Sequence, residues 1–416
     1  VTPVNDTKRR LPLLAVLGVI GPGIIAASAG NDSGGISTYS VAGARYGYTM
    51  LWMMLAMTPS FVIVQEMAGR MGAVTGKGFA ALIRERFGVR PTFLAMLMLL
   101  ASNAATTIAE FAGIAAAMEI FGVSRYISVP LAALVVWLLV VRGSYRNVEK
   151  VFLSLSAVFI AYVVAAFLAR PDWLEVGRSM VTPRVIPDRA FIALAIGLTG
   201  TTIAPWMQFL VQSNIADKGT TVKEWALARW DVMAGAVVAN VIACFIIITT
   251  ATVLHPAGVV IESAEDAASA LAPLAGPYAE LLFSVGLLSA SLLAAAVLPL
   301  TAAYAICEAF GWESGLDRSW SEAPLFNGLY TLVIIASAAV ILVPGIHLIG
   351  IMLVSQVING ILLPFLLVFM MRIVNDHAVM GRHANGPAHN VLAWGTILVV
   401  IALTAALLVM TLLGVG

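Results

Sequence analysis

The chain has 416 residues, of which 61% are hydrophobic and only 11% charged, and its net charge is +1. Water-soluble domains carry roughly a quarter charged residues, so this composition excludes a soluble globular protein. The near-zero balance argues against a nucleic-acid partner or a polybasic anchor, and charge has to be read by position instead.

Residues 1–12 (VTPVNDTKRRLP) open on Val1 and lead into the first apolar run with no cleavage-site pattern after it. A trimmed or alternatively started N-terminus is expected there, not a signal peptide. Runs long enough to cross about 30 Å of hydrocarbon then follow at 11–38, 48–69, 91–121, 126–142, 150–169, 188–214, 228–254, 278–308, 327–346, 348–372 and 390–414. They lack the two-residue alternation of an outer-membrane strand. The expected fold class is therefore all-α, a polytopic membrane protein of about 11 transmembrane helices forming one transporter domain over 1–416.

Orientation follows from the basic residues, because positive loops stay on the cytoplasmic side. With the N-terminus inside, Lys8, Arg9, Arg10, Arg70, Lys77, Arg84, Arg86, Arg90, Arg142, Arg146, Lys150, Lys218, Lys223, Arg229, Arg318, Arg372 and Arg382 fall on inner segments; the outer loops keep Arg45, Arg125, Arg170, Arg178, Arg184 and Arg189, and the 255–277 loop is acidic through Glu262, Glu265 and Asp266. A multi-pass cell-membrane protein with a cytoplasmic N-terminus and an outside C-terminus is expected.

Two spans are wrong for plain helices. The first, GPGIIAASAGNDSGGISTYS, sets Gly30, Gly34, Gly35 and an unpaired Asp32 at mid-depth; the sixth, GLTGTTIAPWMQFLVQSN, sets Pro205 behind Gly197, Gly200 and two threonines. Such interruptions free backbone groups that hydrocarbon cannot satisfy but an ion or aqueous cavity can. They fall at corresponding places in two groups of five spans, 11–169 and 188–372, with 390–414 as an extra span. Matching interrupted spans point to an inverted-repeat transporter with its site at the interface of the repeats. Close packing of glycine faces is the plainer account of the same residues. A mid-membrane carboxylate costs a few kcal/mol and persists where a cation, partner or water meets it. No Lys or Arg lies at mid-depth in any span, so a transported cation is the expected partner of Asp32.

Other chemistry is thin. Cys244 and Cys307 sit within or beside apolar runs without CxxC spacing and read as packing residues. His255, His347, His377, His383 and His389 lie at loops or span ends, and the six-residue spacing of the last three fits neither a helical metal pair nor a finger. No paired aspartate, Ser/His pair or HExxH helix marks an intramembrane enzyme, so the chain is read as a non-enzyme that uses no cofactor.

The stretch QEMAGRMGAVTGKGFA (Gln65 to Ala80) resembles the second-span signature of the Nramp divalent-metal transporters, and GPGIIAA, TTIAEFAG, the sixth-span break and SQVINGILLPF are similar to that family as well. The resemblance covers almost the whole chain. It implies a leucine-transporter-type fold of two inverted repeats with broken first and sixth helices. It also implies a metal site built from an Asp-Pro-Gly-Asn motif in span one and a Met-Pro-His motif in span six. On this sequence those motifs fall on Asp32, Ser33, Gly34 and Gly35, and on Ala204, Pro205 and Trp206.

The aspartate is kept while the asparagine amide and the thioether are lost. Thioether sulfur suits transition metals, whereas Mg²⁺ prefers oxygen ligands, dehydrates reluctantly and needs a wider site. The pattern looks like the Nramp-related magnesium transporters, which carry Mg²⁺ and also Mn²⁺. The metal is assigned by this resemblance to Asp32, Gly35, the Thr201 carbonyl and the Ala204 position, with Ser33 and Gln356 as water-mediated contacts. The family's proton-route histidine and aspartate positions hold Trp206 and Thr107, Glu110 remains, and no Arg or Lys occurs between Arg318 and Arg372. Uncoupled import driven by membrane potential is the expected mechanism. The alternatives are a proton-coupled Mn²⁺/Fe²⁺ symporter and an organic-substrate carrier on the same fold. The expected partners are the metal ion and the lipid bilayer, with a monomer plausible.

Overall fold

The computed structural model describes residues 31–141, 160–315 and 318–413. The expectations for 11–30, including GPGIIAA, and for 142–159, including Arg142, Arg146 and Lys150, lie outside those residues.

Every element among the described residues is helical, as a chain in hydrocarbon must be when it satisfies its own backbone. The principal helices are α1 (Ser33–Tyr46), α2 (Leu51–Thr75), α3 (Phe79–Phe87), α4 (Val89–Ile120), α5 (Arg125–Val141), α6 (Ile160–Ala169) and α7 (Trp173–Val181). They continue with α8 (Arg189–Thr202), α9 (Pro205–Asp217), α10 (Val222–Val253), α11 (Ala279–Phe310), α12 (Pro324–Ile341), α13 (Leu348–Val374) and α14 (Pro387–Leu413). Among the described residues eight stretches are long and apolar enough to span a bilayer, and α5 is a shorter apolar helix.

The helix ends follow local chemistry. Gly76 closes α2 in the left-handed region at φ 64°, its N–H donating to Gly72 O, and Thr221 with Glu224 forms a capping box at the start of α10. Two boundaries differ from the sequence reading. The first span does not stop at 38: α1 continues to Tyr46 and meets α2 through a tight turn at Gly47, φ 56°, because Ser40, Ala42, Gly43 and Ala44 are buried like the residues before them. The 255–277 segment is not a plain acidic loop, since Ser263 and Asp266 cap a short helix at Ala264–Ala268. The amphipathic α3 and α7, too short to span, were not anticipated.

α4 packs against α11 and α13, α10 against α1 and α2, and α8 against α13 and α1, while α14 lies outside against α13 and α8. Large apolar side chains of the outer helices face outward, among them Leu131, Ile335 and Leu398. Polar residues face inward instead: Ser102 Oγ donates to Asn359 Oδ1 at 2.6 Å, Asn359 Nδ2 donates to Thr106 Oγ1 at 2.9 Å, and Asn103 Nδ2 donates to Leu298 O at 2.9 Å. This reversal of the soluble pattern is what a solvent of lipid tails selects, with interhelical hydrogen bonds between buried partners.

Glycines set the closest approaches. A Cβ on Gly200 would collide with the backbone of Gln356 and Gly360, and one on Gly360 with the backbone of Ile196. α8 and α13 therefore cross in backbone contact beside the break.

The basic residues Arg70, Lys77, Arg84, Arg86, Arg372 and Arg382 gather where α2, α3 and α13 end. There Arg70 pairs with Glu66 and donates to His383 O and Asn385 Oδ1, and Arg86 pairs with Asp376. His389 Nε2 lies 3.7 Å from Glu66, so this histidine belongs to the tie between α2 and the start of α14. His377 instead faces Gly381 O.

Candidate functional site

α1 begins at the first break. Asp32 is its N-cap, extended at φ −70° and ψ 176°, and its Oδ1 accepts the Gly35 N–H at 2.7 Å. The side chain is 3% exposed and makes no ion pair among the described residues. Its second oxygen, Oδ2, takes no hydrogen bond from them. A carboxylate used through one oxygen and buried without a counter-charge is an incomplete site for a cation.

The second break separates α8 from α9. α8 ends at Thr202, Ile203 leaves the helix at φ −121°, and Ala204 is the extended N-cap before Pro205. In a continuous helix the Thr201 carbonyl would accept from residue 205, and Pro205 has no N–H to give. The Thr201 carbonyl is thus freed by chemistry as well as by geometry. The C-terminal end of α8, with its partial negative charge, lies at this break, as the site of a cation requires.

Three links bring the two breaks together. Tyr39, two turns along α1 from Asp32, places its hydroxyl 3.4 Å from Thr202 Oγ1. Gln356, fully buried on α13, packs its amide directly on Gly34, while its backbone oxygen touches Gly200. Gln356 Oε1 accepts from Asn359 Nδ2 at 3.1 Å, which joins the site to the polar interior of α4. Asn31, Tyr39, Thr201, Thr202, Met207 and Asn240 then line a cavity of about 10 Å³, room for one water. Thr201 Oγ1 and Asn240 Oδ1 are buried on its wall with no hydrogen-bond partner among the described residues.

Asp32, Gly35, Thr201 and Gln356 are therefore neighbours or one residue from neighbours. Ala204 is buried at the head of α9, and its oxygen accepts the Met207 N–H at 3.1 Å. Ser33 is turned the other way: its Oγ donates to Ala109 O at 2.9 Å and Glu110 Oε2 at 3.0 Å, and its N–H reaches Glu110 Oε2 at 3.3 Å. Glu110 Oε1 has no partner among the described residues, and Ser33 and Ser291 both crowd Gly113 one turn further along α4. Thr107 Oγ1 returns to Asn103 O at 2.6 Å, and Trp206 is wholly buried.

Tyr39, Asn31, Asn240 and Met207 escaped the sequence reading. Tyr39 stands at i+7 from Asp32, on the same helical face, and was legible once α1 was known to continue beyond 38. Asn240 sits in a long apolar helix with no local signal. No group of three or more His, Cys, Asp or Glu that could hold a metal occurs among the described residues. Among the gathered residues Asp32 supplies the carboxylate, and the others offer neutral groups.

Residues 23–410 match the family described as "Natural resistance-associated macrophage protein-like". The chain is 29% identical over 408 residues to the "Divalent metal cation transporter MntH" of Deinococcus radiodurans, covering 94% of this chain and 90% of that protein. It is 30% identical over 397 residues to the protein of the same name from Ralstonia nicotianae, covering 90% and 86%. Its fold superposes on a crystal structure of the Eremococcus coleocola manganese transporter with a TM-score of 0.77 at 23% identity, over 98% of this chain and 88% of that one. From the capped break at Asp32 to the last helix, the chain belongs to the Nramp family.

Proposed function

We propose that this protein carries divalent metal cations across the membrane by alternating access, with Mg²⁺ as its principal cargo and Mn²⁺ as a second. The observation that carries the reading is the buried Asp32 carboxylate. It caps α1 with no cationic side chain beside it among the described residues, and the Thr201 carbonyl freed by Pro205 is the neutral ligand this reading assigns to it. Asp32 would be the charged ligand, the Thr201 carbonyl a neutral one, and Gly35 and Ala204 the small positions that leave room for retained water. Gln356 would act through water. Ser33, engaged with Glu110, would hold α1 against α4.

Two features favour a hard ion over a soft one. The position that carries a thioether in the family motif is Ala204, and the cavity beside the break has unpartnered oxygens to hydrate an ion. The relatives' names speak of divalent metal cations in general. Inside-negative potential is sufficient to drive import: moving two charges is worth about 4.6 kcal/mol per 100 mV. That is roughly a thousandfold accumulation. Trp206 and Thr107 offer no titrating group at the family's proton-route positions, so the transport is proposed as uniport, inward from the acidic 255–277 side.

A second reading, with Mn²⁺ preferred, rests on Met207. Its side chain lines the same cavity and could offer sulfur from one turn beyond Ala204. Uptake into proteoliposomes, with an internal pH reporter, separates the two. Ala204→Met is expected to raise Mn²⁺ over Mg²⁺ selectivity, and Met207→Leu to leave the ratio unchanged. A ratio that falls in Met207→Leu supports the second reading, and unchanged selectivity in Ala204→Met refutes the ligand assignment. Internal acidification accompanying Mg²⁺ uptake refutes uniport.

A further inference from the structure

A cavity of about 520 Å³ opens at the basic end of the bundle, in the wedge between the end of α3, the end of α13 and the start of α14. Arg86, Arg372, Asn375, Asp376, Asn390 and Trp394 line it. It lies far along α13 from Gln356 and takes no part in the transport site.

Its charges are unequal. Arg86 is paired with Asp376, so those two offset one another. Arg372, in the last turn of α13, makes no ion pair among the described residues and leaves the cavity with one uncompensated guanidinium. The amides are satisfied within the wall: Asn390 Nδ2 donates to Asn375 Oδ1 at 2.9 Å and Asn375 Nδ2 donates to Met371 O at 2.8 Å. They form a fixed polar floor, and the Arg372 guanidinium supplies charged donors that make no ion pair among the described residues.

The opposite wall is apolar. Trp394 is 40% exposed and stands seven residues into α14, about 10 Å below its start. Phe87, stacked edge-on against Phe369 at 5.2 Å, completes that side. Below Trp394 the outer face of α14 is exposed Leu398 and Val399, the surface that acyl chains cover. A guanidinium above an indole above an aliphatic stripe is the order of groups in a phospholipid: phosphate, glycerol interface, acyl chain.

We propose that this wedge binds the headgroup of an anionic phospholipid, with the phosphate on Arg372 and the glycerol region against Trp394. A free phosphate ion would use the guanidinium but gain nothing from the indole and the stripe beneath it. A zwitterionic lipid would use the stripe but bring its own cation next to Arg372. The lipid therefore ties α14 to α13 and α3 at the end where the helices are otherwise joined through side-chain pairs.

The test uses the full-length protein in detergent, with phosphatidylglycerol or phosphatidylcholine added and retained lipid counted by native mass spectrometry. Wild type is expected to hold phosphatidylglycerol in preference to phosphatidylcholine, and Arg372→Gln to weaken that retention about fivefold, the worth of one interfacial arginine. Arg372→Lys should retain most of the preference, and Arg382→Gln, outside the cavity, should leave it unchanged. Trp394→Ala, which alters no charge, should weaken retention of phosphatidylglycerol as well. Equal retention of both lipids, or no change in Arg372→Gln, overturns the proposal. Displacement of the lipid by millimolar inorganic phosphate would overturn it too, by making the site one for a free anion.

Discussion

Asp32 has two separable duties, and substituting asparagine takes away one of them. Its Oδ1 caps α1 through Gly35 at 2.7 Å, a role that an asparagine oxygen performs equally well, while only the carboxylate attracts a cation. At 3% exposure and without a counter-charge among the described residues, the carboxylate costs about 3 kcal/mol in the ion-free protein on the insertion scale. Asp32→Asn removes most of that cost and keeps the cap. Asp32→Ala removes the charge and the cap together, and should lie about 1 kcal/mol below Asp32→Asn. A bound ion raises wild type alone: at a hundred times its dissociation constant it adds about 2.7 kcal/mol, close to the cost of the buried charge. Thermal unfolding in detergent, with and without Mg²⁺, reads all of this. In chelator the expected order is Asp32→Asn above Asp32→Ala and above wild type; with Mg²⁺ only wild type rises. If Asp32→Asn also rises with Mg²⁺, the ion binds elsewhere and the site assignment fails. If Asp32→Ala equals Asp32→Asn, the capping role is wrong.

Gly200→Ala should destabilise by about 2 kcal/mol or more, because its Cβ meets the backbone of Gln356 and Gly360, which cannot turn aside. Gly395→Ala, where a Cβ meets nothing within 4 Å in the middle of α14, should instead stabilise by up to about 1 kcal/mol; thermal melts of the pair check the packing reading. Asp188 caps α8 and accepts the Tyr46 hydroxyl at 2.7 Å, and that bond from Tyr46, ahead of the Ala190 and Phe191 amides, lowers its pKa below the usual 3.8. A depressed carboxylate contributes stability that is whole above about pH 4 and is lost as pH falls through the lower folded value. Wild type should therefore exceed Asp188→Ala at neutral pH, with the two melts converging as the pH falls through that lowered value. A constant gap down to that pH would show the contribution is not the charge.

The break at Pro205 shows how far local sequence reaches. A proline without an N–H frees the Thr201 carbonyl whatever surrounds it, and Asp32 ahead of two glycines caps a helix by its own chemistry. From α2 onward most of the expected spans have a long apolar helix among the described residues, because hydrophobic length is also a local property. Errors came where burial by neighbours decides. α1 runs on to Tyr46 because other helices enclose Ser40, Ala42, Gly43 and Ala44, and nothing in those residues announces it.

Sequence alone determined that this is a helical membrane protein with two broken spans and a carboxylate at one of them, since hydrocarbon enforces internal backbone bonding residue by residue. It also placed the chain beside its family, through QEMAGRMGAVTGKGFA in the second span and similar stretches in other spans. The tertiary structure decided which groups gather around the two breaks. Ser33 is bonded to Glu110, 77 residues away, while Tyr39 and Asn240 line one cavity with Thr201 and Gln356 is laid across Gly34 and Gly200. Those choices depend on the crossing of helices far apart in the chain, and helix crossings are set by mutual packing, which no local window of residues contains.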